Sequence, residues 1–196
     1  MMKKLEQIMN NRFMTLASFT VVLLLVTSIG GQSLSAYAVY SNPPSFGGGT
    51  VIKYSDGLVI NGKTIDISKS SQTMMIPQIL TLGKSSTITL KIFDNAGPTT
   101  IKSVSLYVNM RGTNLATSSS DTSIQYPMKG NAVSLSDPHK LLGTVTAEYK
   151  IVQPFVYVTF HITPIAKIDA SNLIVSALDD HRALTNSLII NAIKFS

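Results

Sequence analysis

Cysteine and tryptophan are absent from the 196 residues, and charged side chains make up only 13%. The missing thiols exclude thiolate catalysis, disulfide redox work and the cysteine-containing blue-copper ligand set. They cost the fold little, because about 150 residues can bury roughly two thirds of their unfolded surface and need no disulfide staples. The low charge, below the usual quarter, goes with abundant Ser and Thr, which suits wet strand faces better than wet helix faces. Basic clusters are missing as well. The formal charge is +6, and once Lys3, Lys4, Arg12 and Glu6 of the leader are set aside, 13 basic residues stand against 9 acidic. That excess is spread singly, at Lys53, Lys63, Lys69, Lys84, Lys91, Lys102 and Arg111 among others, so nucleic acid is not an expected partner.

Long apolar runs occur once. Phe13 to Gly30 is an apolar core behind a basic start, and small residues follow at Ala36 and Ala38. An A-x-A pattern is what a signal peptidase accepts, so residues 1–38 read as a signal peptide with cleavage after Ala38. The alternative is an uncleaved N-terminal anchor helix over residues 13–30. Either reading sends the remainder outside the cytoplasmic membrane, leaving membrane contact to this segment alone. Residues 39–50, with Pro43-Pro44 and Gly47-Gly48-Gly49, read as a linker; a sharper expectation is an arm that pairs with a neighbour's sheet edge.

What is present in quantity is alternation. Ile88, Leu90 and Ile92 alternate with Thr87, Thr89 and Lys91, then Val104, Leu106, Val108 and Met110 with Ser105, Tyr107, Asn109 and Arg111. A period of two means one buried face and one wet face. The turn Asp94-Asn95-Ala96-Gly97-Pro98 makes these strands either antiparallel neighbours or a crossing between two packed sheets. Asn61-Gly62 signals a type I′ hairpin with Leu58 across from Ile65. Pro77 breaks the apolar stretch 74–82 and argues for an edge or a bulge. Val156, Val158, Phe160 and Ile162 point inward, with Tyr157, Thr159 and His161 outward. Nine or ten such strands, with turns every 8 to 12 residues, predict an all-β, immunoglobulin-like antiparallel β-sandwich over residues 51–196.

Candidate functional residues lie in turns. If each strand crosses the sandwich once, Asp94, Asp179, Asp180 and His181 gather at one rim, and Asp137 with His139 at the other. The first group, with Asn95 and loop carbonyls, is a candidate Ca²⁺ or small-ligand site, although Asp and Asn are also ordinary turn formers. No HExxH, HxH, G-x-S-x-G or paired-carboxylate pattern points to catalysis, so no enzyme is expected. Tyr107 and Tyr157 form a candidate contact patch if their strands are neighbours.

The run IFDNAGPTTIKSVSLYVNMRG, with SDTSIQY at 120–126, SDPHKLLG at 136–143, VTFHIT, and SALDDHRALT at 176–185, resembles a domain of secreted and surface proteins of ammonia-oxidising archaea. The similarity spans about residues 74–196. That family has no established activity, so the resemblance implies an extracytoplasmic β-domain and no catalytic residue. Together these readings predict a non-enzymatic binding or structural module of the cell envelope, its partner an envelope protein or glycan. The alternative is a secreted metal- or small-ligand-binding protein using one loop rim.

Overall fold

The computed structural model describes residues 42–48, 57–110, 122–130 and 132–196. The leader 1–38, Ala36, Ala38 and the candidate anchor 13–30 lie outside them. Among the described residues no helix is long and apolar enough to cross a membrane.

Two sheets stack face to face. Sheet A runs β10 (Leu142–Val152), β11 (Phe155–Pro164), β6 (Ser86–Phe93), β2 (Leu58–Ile60) and β3 (Lys63–Ile65), and β1 (Ser45–Phe46) also pairs with β6. Sheet B runs β4 (Gln72–Met74), β13 (Leu184–Phe195), β12 (Ile168–Asp179), β7 (Ile101–Met110), β8 (Thr122–Pro127) and β9 (Ser134–Ser136), with β5 (Gln78–Leu80) also on β13. The architecture is the sandwich that the alternation predicts.

Each inner face is the apolar phase of its strands. Ile88, Leu90 and Ile92 of β6 and Val156, Val158, Phe160 and Ile162 of β11 are wholly buried against Val104, Leu106 and Val108 of β7. Removing that area from water, at about 25 cal/mol per Å², is the main favourable term holding the sheets together. Tyr126 of β8 closes the layer, its ring edge-on to Phe160 at 6.4 Å.

The Asn61-Gly62 turn forms as expected. Both residues have positive φ, and Leu58 pairs with Ile65. The polar turn after β6 carries the chain from sheet A to sheet B through a short 3-10 turn at Pro98–Thr100, so the two central strands are not neighbours. Pro77 separates β4 from β5, and both lie at the margin of sheet B. They pair with β13 in parallel, however, so sheet B is mixed rather than purely antiparallel.

One boundary moves. Residues 45 and 46, inside the segment read as linker, form β1, and the Phe46 side chain is 3% exposed in the core. The expected arm that pairs with a neighbour's sheet instead pairs with its own: Ser45 opposite Phe93, Phe46 opposite Ile92. Burial of the Phe46 side chain and the backbone pairing with β6, extended by the Gly47 N–H to the Lys91 carbonyl at 2.9 Å, together offset the cost of ordering the segment.

Candidate binding face

The Asp-rich turns come together, but as structural elements. Asp94 is buried. Its Oδ1 accepts the Ala96 N–H at 2.9 Å and its Oδ2 accepts the Thr100 hydroxyl at 2.7 Å. Asp179, fully buried, accepts the Ala183 N–H on Oδ1 at 2.7 Å. The backbone N–H of Asp180 donates to the Thr100 carbonyl at 2.9 Å, which ties the two turns together. His181 Nδ1 lies 2.9 Å from Asp180 Oδ1 and 4.0 Å from Asp179 Oδ2, at the surface. Among the described residues no group of three or more His, Cys, Asp or Glu side chains converges as metal ligands. The residues of the expected Ca²⁺ set, Asp94, Asp179, Asp180 and His181, lie in these two tied turns. Their buried carboxylates accept hydrogen bonds from their own turns, which is the local chemistry that makes Asp a turn residue. Asp137 behaves alike at its own turn, accepting the Leu142 N–H at 2.8 Å and the Thr122 hydroxyl at 3.2 Å.

Tyr107 and Tyr157 do not share a surface. Tyr107 stands on sheet B and packs on a small cluster of Met110, Ile174, Leu188 and Ile190, whereas Tyr157 stands on sheet A. The expected patch joining them therefore does not exist, because the chain changes sheets between β6 and β7.

Tyr157 belongs instead to a regular outer face. The registers of β10, β11 and β6 set its side chains in rows of three: Val152, Phe155, Phe93; Lys150, Tyr157, Lys91; Glu148, Thr159, Thr89; and Thr146, His161, Thr87. Phe93 and Phe155 meet at 5.9 Å between ring centroids. The ammonium of Lys91 lies 4.8 Å from the Phe155 ring and 5.8 Å from that of Tyr157, and Lys91 is only 6% exposed. Cation–π attraction of about 0.5 to 2 kcal/mol helps hold such a covered cation. The Thr89 and Thr159 hydroxyls are 3.0 Å apart, and His161 Nε2 lies 3.6 Å from Glu148 Oε1.

Beside these rows lies a groove of about 630 Å³, lined by Thr89, Glu148, Tyr149, Lys150, Val152, Tyr157 and Thr159. It offers one acid, one exposed base, two phenols and two hydroxyls, with Val152 as its aliphatic side chain. That set suits contact with a polar surface, and its single carboxylate does not make the acid–base pair that glycoside hydrolysis needs. Alternation in β11 places Tyr157, Thr159 and His161 outward in the sequence. The Phe155–Lys91–Tyr157 stack and the Glu148 to Lys150 row depend on which strands lie side by side, and no local signal carries that.

No protein-family model and no curated protein matches the chain. A structure solved for photo-crosslinking analyses of multimeric cell-adhesive interactions of VGSC β subunits is similar over 68% of this chain and 98% of its own, at 11% identity and a TM-score of 0.39.

Proposed function

We propose that this chain is an exported, non-enzymatic binding module of the cell envelope, which holds a partner protein against the outer face of sheet A. The observation that carries the reading is the ordered face itself, with Tyr157 braced by Lys91 beside a groove bearing Glu148 and Lys150. A braced aromatic loses little freedom on contact, which is why Tyr and Trp recur where binding energy concentrates. The leader-like N-terminus and the resemblance to secreted and surface β-domains support an address outside the cytoplasmic membrane. The turn carboxylates, engaged by their own backbone, support binding rather than catalysis.

The test is made in intact cells with the full chain. A membrane-impermeant amine reagent is expected to label it, and cross-linking is expected to join it to an envelope protein. Tyr157→Ala is expected to weaken that cross-link at least several-fold with the fold intact, as truncation of a central aromatic costs about 2 kcal/mol or more. Recovery of folded chain from cytosol would overturn the address. A cross-link indifferent to Tyr157→Ala, or one formed only with glycan, would overturn the protein-binding face.

A further inference from the structure

β10 is a sheet margin of 11 residues, and among the described residues no strand pairs along its free side. The other outermost strands, β1, β3, β4, β5 and β9, have two or three residues each. A long bare edge presents a row of backbone N–H and C=O groups that is a template for another strand. On it Tyr149, Ile151 and Val152 are 41%, 38% and 46% exposed, unusual values for such residues in a sheet.

We propose that β10 pairs antiparallel with β10 of a second copy, about a two-fold axis through Tyr149. The registers open to a strand that meets itself are few. Free N–H and C=O groups occur at every second residue, so each residue must face one of the same parity, and the axis must pass through a residue rather than between two. An axis at Glu148 sets that carboxylate against its own copy, and one at Lys150 does the same with two ammonium groups. Moving the axis to Ala147 runs the pairing into the irregularity between Leu142 and Val145. An axis at Ile151 runs it off the strand into the Gln153-Pro154 turn.

At Tyr149 the sequence is its own complement. Glu148 faces Lys150 of the second copy, and Lys150 faces its Glu148, so two opposite-charge pairs form on one face. Ile151 comes opposite Ala147, Val152 opposite Thr146, and Tyr149 opposite Tyr149, which covers the three exposed side chains. Lys150 has no carboxylate at ion-pair distance within the copy among the described residues. Glu148 has only His161 at 3.6 Å, a pair charged when the imidazole is protonated. A lone lysine is a common guard of sheet edges. Glu-x-Lys guards against other strands and welcomes itself. The two outer faces would join into one continuous surface, an outcome that does not depend on what that surface binds.

Sedimentation of the purified full chain tests this, with charge reversal as its control. The parent is expected to form a reversible dimer. Lys150→Glu and Glu148→Lys should each weaken it about tenfold or more, because two attractions become two repulsions. The double variant Glu148→Lys with Lys150→Glu should restore it to near the parent. Since the chain has no cysteine, a single introduced thiol reports its own position. Tyr149→Cys should cross-link to itself on mild oxidation, whereas Thr146→Cys should not, its two copies lying about 20 Å apart along the strands. A parent that stays monomeric into the millimolar range would overturn the proposal. So would single variants that associate as the parent does, a double variant that stays apart, or cross-linking at Thr146→Cys in place of Tyr149→Cys.

Discussion

The two sides of sheet A are finished by different means. On the side away from β11, strand β6 is covered in pieces. β1 pairs with Ile92 and Phe93, β2 pairs with Ile88, Thr89 and Leu90, and between them the Lys91 backbone accepts from the Gly47 N–H at 2.9 Å and donates to the Gly57 carbonyl at 3.0 Å. Phe46 plugs that side from within, and the strand finally left outermost, β3, is three residues long. On the other side β10 continues for 11 residues with its backbone uncovered among the described residues. Short, broken margins are how β proteins avoid unwanted pairing. A fold that breaks one margin with such care and leaves the other long and charge-patterned has a margin fitted for contact.

If that comparison holds, damage to the patched side should cost stability, and damage to the open side should cost association. The largest effect is expected at Phe46. Truncation to Ala removes a buried aromatic, and the fold should lose about 3 to 5 kcal/mol, measured by denaturant unfolding. Next is Gly57. A Cβ there would come within 2.6 Å of Ile67 Cγ1 and 2.9 Å of Phe46 Cβ, so Gly57→Ala overpacks the same plug and should cost about 1 to 3 kcal/mol. Neither substitution touches β10. Equal losses from Tyr149→Ala, or no loss from Phe46→Ala, would erase the distinction between the two margins.

The patched side was partly legible in sequence. Asn61-Gly62 announced the hairpin because few dipeptides accept positive φ at two successive positions. Pro77 announced a margin because it lacks an N–H to give to a ladder. The clean alternation of Val156 to Ile162 fixed which phase of β11 is buried. Phe46 was missed because Pro-Pro and Gly-rich neighbours dominate its surroundings, while its docking depends on Ile92 and Gly57, far along the chain or out of local register. The pairing of Tyr107 with Tyr157 failed for the same physical reason: period two gives the face of a strand and says nothing of its neighbours. Asp94 and Asp179 were correctly placed in adjoining turns by the crossing of strands. Their hydrogen bonds to Ala96, Thr100 and Ala183 depend on turn geometry that composition does not record. Glu148 and Lys150 are visible as letters, and their meaning comes only from β10 lying outermost.

The smallest expected effect sharpens the comparison from inside the open margin. Tyr126 of the facing sheet lies beneath β10, 6.4 Å between ring centroids from Tyr149. Burial pushes its hydroxyl pKa above the ordinary 10, and the nearby Tyr149 and Glu148 add to the rise. A folded pKa above the unfolded one means that the unfolded chain releases its proton first. The Tyr126 contribution is therefore whole below about pH 10 and is lost as pH rises from there through the folded pKa. Tyr126→Phe carries no such proton, so the stability of the parent should fall relative to the variant above pH 10 and keep a constant difference from it below. Parallel pH curves throughout the alkaline range would mean that Tyr126 is reached by solvent, and that β10 covers the core no better than a frayed edge would.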